Sequence, residues 1–129
     1  MGKAAEERVE LHCHTCKSAM NAVGNVGDII HFVSKQGMRA IGFTDLHNIY
    51  AYPDIQYCID NTYPDIKPIY GIELLVADDI LPNKSLKSKI LMNGMPAYYV
   101  LVLVKNEIGK NNLYSLLTEA NRQKKGEVP

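Results

Sequence analysis

Apolar residues fall along this chain in two patterns. Residues 9–13, 38–43, 69–76 and 98–104 are short apolar runs bounded by Gly, Asp or Lys, the length and punctuation of strands. Between them, apolar positions recur at helical spacing. Val26, Ile29, Ile30 and Val33 predict a helix over 25–36, with Gly37 as its stop. Pro53 suits the first turn of a second helix, whose short apolar face is Ile55, Cys58 and Ile59. Asn106 and Glu107 open a third, with Leu113, Leu116, Leu117 and Ala120 as its buried stripe. Residues 77–96 carry Asp, Asn, Lys, Gly and Pro without a clear period. They read as a long excursion with a loose hairpin around Asn93 and Gly94. Residues 121–129 are polar and basic and read as a fraying end.

Strands alternating with helices argue for an α/β fold with right-handed crossovers and about four parallel strands. The run 98–104 is apolar on both faces, as in a strand covered on both sides. A closed (β/α)₈ barrel needs about 250 residues. A chain of 129 can form an open sheet or a partial barrel.

Bulk properties narrow the function. Lys plus Arg and Asp plus Glu number 14 each, so no autonomous DNA binding is expected: duplex binding draws on an excess of basic surface. No apolar run approaches the roughly 20 residues of a membrane span. Residues 1–7 lack a signal-peptide core and read as a polar leader to a domain over 8–129. The odd set Cys13, Cys16 and Cys58 fits free thiols in the cytoplasm, and no second cysteine pair with zinc-ligand spacing accompanies Cys13 and Cys16.

The candidate chemistry lies at strand ends. His12 and His14 alternate, so both point to one face of the first strand while Cys13 points to the other. Asp45 ends the second strand, and Glu73 lies within the third, where a buried carboxylate calls for a cationic partner. Two histidines and two carboxylates at successive strand ends form a ligand set for Zn²⁺, Mn²⁺ or Fe²⁺. The plain alternatives are surface histidines and, for Asp45, a turn cap.

These motifs resemble a known superfamily. His12-Cys13-His14-Thr15 resembles the HxHT signature of polymerase and histidinol phosphatase (PHP) domains, Thr44-Asp45 its TD motif and Gly71-Ile72-Glu73 its GxE motif. The segments Arg8-Val9-Glu10-Leu11, Ala51-Tyr52-Pro53-Asp54 and Leu103-Val104-Lys105-Asn106-Glu107 are similar to the PHP region of PolC-type DNA polymerase III alpha subunits. The resemblance implies a partial PHP-type (β/α) barrel, the N-terminal part of the domain without the exonuclease insertion. It implies metal ligands His12, His14, Glu73 and Asp45, with Asp45 and Glu73 as the catalytic carboxylates. The ion would be Zn²⁺ or Mn²⁺, and the activity phosphoester hydrolysis. The implied partners are the remainder of a polymerase chain or other replisome subunits.

The chain also departs from the pattern. Asn21 stands where the family has an acid, Leu46 where the TD motif continues to His, with His47 one place late, and Thr118-Glu119-Ala120-Asn121 lacks a late histidine. Leu46 cannot bind a metal and neutral Asn21 is a weak ligand, so the expected site is depleted and weak or empty of metal. A free-standing phosphatase resembling histidinol phosphatase, or a metal-free structural module, is the alternative. An unclosed sheet adds an expectation of self-association through the edge at 98–104.

Overall fold

The computed structural model describes residues 8–77, 91–92 and 95–122. The order is β1 (Glu10–Cys13), α1 (Val26–Lys35), β2 (Ala40–Phe43), α2 (Tyr52–Thr62), β3 (Lys67–Ala77), β4 (Leu91–Met92), β5 (Met95–Leu103) and α3 (Glu107–Arg122). The expected leader, most of the 77–96 excursion with its turn at Asn93 and Gly94, and the end beyond Arg122 lie outside the described residues.

The helices begin and end where local chemistry sets them. Asn25 caps α1 by accepting a hydrogen bond from the Asp28 backbone N–H at 2.9 Å. Gly37 follows in the left-handed region at φ 71°, the conformation that lets the chain leave the helix. Pro53 lies in the first turn of α2. Val26, Ile30 and Val33 of α1 and Ile55 and Ile59 of α2 pack against Ile41 and Phe43 of β2. Cys13 and Tyr70 join that cluster from the neighbouring strands.

The sheet order is β1-β2-β3-β5-β4, with β1, β2 and β3 parallel. Gly42 makes the β1–β2 pair possible: a Cβ there would sit 2.9 Å from the Leu11 Cα. The α/β class and the partial, half-barrel architecture are as expected.

The expected direction of the fourth principal strand requires correction. β5 runs antiparallel to β3, from Gly71 opposite Leu103 to Ala77 opposite Ala97. Ala77 and Ala97 face each other, so the chain re-enters the sheet at the end where it left, and a return at the same end can only be antiparallel. The alternation of strands with helices elsewhere suggests a parallel sheet throughout, although 77–96 shows no helical period, and no helix is described between β3 and β5. The apolar stripe of α3 also differs: Leu113 is buried, Leu117 is half-buried, and Leu116 and Ala120 are exposed.

Candidate metal centre

Parallel β1, β2 and β3 bring their carboxyl ends to one edge of the sheet, and β3 runs past the end of β2. Leu46 bridges to Glu73, which places Glu73 level with the loop after β2 although it lies inside its own strand. The backbone fastens this level twice: Glu73 N–H donates to the Asp45 carbonyl at 3.0 Å, and His47 N–H donates to the Glu73 carbonyl at 2.9 Å.

Strand alternation turns His12 and His14 to the same side, with ring centroids 5.0 Å apart, while Cys13 packs into the core. Burial pushes the Cys13 thiol up to about 11, with Glu10 and Asp45 adding to the rise. His12 Nε2 lies 3.3 Å from one Glu73 oxygen, and His14 Nε2 lies 2.8 Å from the other. The ligand atoms of all three residues fall within 4.8 Å of one another, the one such group among the described residues. Glu73 is buried, His14 is half-buried and His12 exposed.

The His14–Glu73 contact is close yet not aligned as a hydrogen bond, and His14 Nε2 is a buried polar atom without a hydrogen-bond partner. A buried nitrogen left unsatisfied is costly unless something else receives its lone pair. Two imidazoles and a carboxylate converging on one point have the donor chemistry of a divalent transition-metal site, so these residues fit such an ion.

Asp45 lies elsewhere. It is 3% exposed, and both of its oxygens are engaged. One accepts from the Thr15 backbone N–H at 2.6 Å and the Ser18 hydroxyl at 2.6 Å; the other accepts from the Thr15 hydroxyl at 2.7 Å. Ser18 in turn accepts from the Leu46 N–H at 2.9 Å. The loop after β1 is thus stitched to the loop after β2, and the residue directly following His14 is held from both backbone and side chain. Asn21 is exposed and outside the three-residue group. His47 is also outside it, in the left-handed region at φ 58°.

Thr15 and Ser18 carry a role that sequence reasoning did not assign. Their signal was present: two small hydroxyl residues following HxH, in a chain with an acid awaiting a partner after the next strand. Tyr52 is a second such residue. Its hydroxyl donates to the Gly71 carbonyl at 2.8 Å, two residues before Glu73, and its ring meets Tyr70 edge-on at 4.8 Å. Burial raises the Tyr52 phenol well above its ordinary value of 10.0.

Residues 10–128 match the PHP domain family, and the chain belongs to that family. Within it, this chain is 33% identical over 134 residues to the DNA polymerase III PolC-type of Staphylococcus haemolyticus (strain JCSC1435), an alignment covering 98% of this chain and 9% of that protein. It is 40% identical over 94 residues to the PolC-type polymerase of Clostridium perfringens (strain 13 / Type A), covering 73% of this chain and 6% of the relative. The chain therefore spans less than a tenth of the length of these relatives.

Proposed function

We propose that this chain is the N-terminal part of a PHP domain from a PolC-like DNA polymerase III alpha polypeptide, and that it keeps a depleted site for one weakly held divalent ion. The observation that carries this reading is the convergence of His12, His14 and Glu73, with His14 Nε2 buried and unsatisfied. In this reading those three residues hold the ion, Zn²⁺ or Mn²⁺. Asp45 is a positioning residue that fixes the chain after His14 through Thr15 and Ser18. When bound, such an ion lowers the pKa of its water to about 7 and polarises a phosphoryl oxygen. Glu73 supplies the negative charge that offsets the ion, and His12, being exposed, leaves one side of the group open to solvent. Leu46 and Asn21 do not add ligands, which supports a structural or vestigial role over an efficient phosphoesterase. The similarity to short segments of large PolC chains supports a place within a polymerase, with the rest of that chain or replisome subunits as partners and the cytoplasm as location.

Elemental analysis after dialysis against Mn²⁺ or Zn²⁺ tests this. The expected stoichiometry is one ion or fewer per chain, abolished in His14→Ala, with poor turnover of generic phosphomonoesters. Two or three tightly held ions would mean that other residues replace the missing ligands. Robust hydrolysis lost in His14→Ala would replace this reading with a free-standing phosphatase. No metal at all would leave a structural or interaction module.

A further inference from the structure

Beside the metal group lies a cleft of about 860 Å³, formed by the loops after β1 and β2 and by the second half of α3. Its volume is within the range of small-molecule sites. Its lining includes two cations, Lys17 and Arg122, and two tyrosines, Tyr50 and Tyr114, with His47 and Asn121 between these chemistries. No carboxylate lines it among the described residues. We propose that this cleft binds a phosphate ester carrying a flat ring, with the phosphate on Lys17 and Arg122 and the ring against the tyrosines.

The wall is built in advance. Asn48 donates from Nδ2 to the Lys17 carbonyl at 3.1 Å and to the Leu46 carbonyl at 2.9 Å, and its Oδ1 accepts from the Tyr50 N–H at 3.1 Å. These bonds hold the backbone of Lys17, Leu46 and Tyr50 in one arrangement, and all three residues line the cleft. The same Lys17 backbone is tied to Thr15, one residue after His14, through the 3.1 Å bond from its N–H to the Thr15 hydroxyl. His47, which also lines the cleft, is joined to Glu73 through its backbone. The cleft thus adjoins the metal group, but none of these bonds involves the three metal-group side chains.

Both cations have weak partners. Lys17 lies 3.6 Å from Asp54 and Arg122 3.6 Å from Glu119, with every partner side chain well exposed. Exposed pairs at that distance contribute little and give way to a doubly charged phosphate that offers more acceptors. The C-terminal end of α3 presents carbonyls that oppose an anion. Binding therefore draws on both cations together, while the tyrosines supply the ring contact.

The test is a titration of the full chain in EDTA, followed by NMR shifts, with deoxyadenosine monophosphate, ribose 5-phosphate and deoxyadenosine as probes. Excluding metal keeps the outcome separate from the fate of the metal-site reading. Saturable binding of deoxyadenosine monophosphate is expected, with each half-ligand weaker by at least about tenfold. Lys17→Ala and Arg122→Ala should each weaken it about fivefold or more, and Tyr114→Ala should weaken it while Tyr114→Phe restores it. Unchanged urea midpoints in the two cation variants confirm that folding is not the cause. A 5′-phosphorylated single-stranded hexamer that binds more tightly than the mononucleotide identifies a strand end as the source of the ligand; equal binding identifies a free nucleotide. No saturable binding, equal binding of deoxyadenosine, or an unchanged affinity in the Lys17→Ala/Arg122→Ala double variant overturns the proposal.

Discussion

Asp45 accepts three hydrogen bonds from Thr15 and Ser18, so its removal strands three donors in a place water does not reach. Each unsatisfied buried group costs about 1–3 kcal/mol, and relaxation of the loops recovers part of it. Asp45→Ala should therefore lower unfolding stability by about 2–4 kcal/mol in urea titrations. It should also reduce metal affinity by about tenfold or more, as loss of a supporting shell does. An Asp45→Ala protein of full stability and undiminished metal affinity would remove Asp45 from its positioning role. Cys13 makes a different prediction. Its thiol titrates near 11 in the folded chain and near 9.0 when unfolded, so above pH 9 the folded state keeps a proton that the unfolded state releases. The stabilisation is complete below pH 9 and is lost as pH rises toward 11. Tyr52 and Tyr70, both raised mainly by burial, act in the same direction at higher pH. Melting temperature should fall from about pH 9 upward, and Cys13→Ala should flatten the first part of that fall. A wild-type alkaline limb matching that of the variant would show that Cys13 does not contribute.

Among the strands, two glycines set how closely the elements approach. A Cβ at Gly42 would meet Leu11 backbone atoms at 2.9 and 3.1 Å, and one at Gly71 would meet the Val102 carbonyl oxygen at 2.7 Å. Backbone cannot step aside as a flexible side chain can. Gly42→Ala and Gly71→Ala should each destabilise by about 1–3 kcal/mol. Because Gly42 holds β1 against β2, its variant should also shift the NMR signals of His12 and His14. Gly109 is the contrast: it lies in α3, and a Cβ there finds nothing nearer than 3.6 Å. Gly109→Ala should stabilise by about 0.5–1 kcal/mol, the helix-propensity difference. A loss of stability in Gly109→Ala would mean that α3 packs more tightly than its burial indicates.

Taken as one body, the fold has a well-covered centre and a thin margin. β2 is buried under α1 and α2, while β5 keeps Tyr99, Val100, Leu101 and Leu103 between 40% and 52% exposed. Among the described residues the sheet continues beyond β5 only as β4, paired at Met95 and Pro96, and no strand is described beside the outer edge of 98–103. An uncharged apolar edge of this kind favours association. Sedimentation of the isolated chain should show concentration-dependent self-association, relieved by Tyr99→Lys. Tyr99 is the informative site because it is half exposed, whereas Val102 pairs with the fully buried Ile72 and a lysine there would unfold the sheet. A compact monomer at all concentrations, with slow amide exchange over 98–103, would mean that the edge is covered within the chain.

What the sequence determined by itself were the features that depend on near neighbours. Periodicity of 3.6 and the Asn25 and Gly37 signals located α1; alternation in β1 placed His12 and His14 together; composition in β2 and β3 marked buried strands. A buried Glu73 in an apolar run was a further local contradiction that pointed to a site. The tertiary structure decided what depends on residues far apart in the chain. β5 reverses because Ala77 meets Ala97, and nothing in the apolar run 98–104 encodes a direction. Leu116 and Ala120 stay exposed although their spacing matches Leu113, because a helical stripe is buried only where a surface lies beneath it. Asp45 had the residue type and strand-end position of a ligand, but Thr15 and Ser18, about thirty positions earlier, reach its oxygens. Local pattern fixes which groups are available at an edge; only the packing of loops from different strands fixes which of them meet.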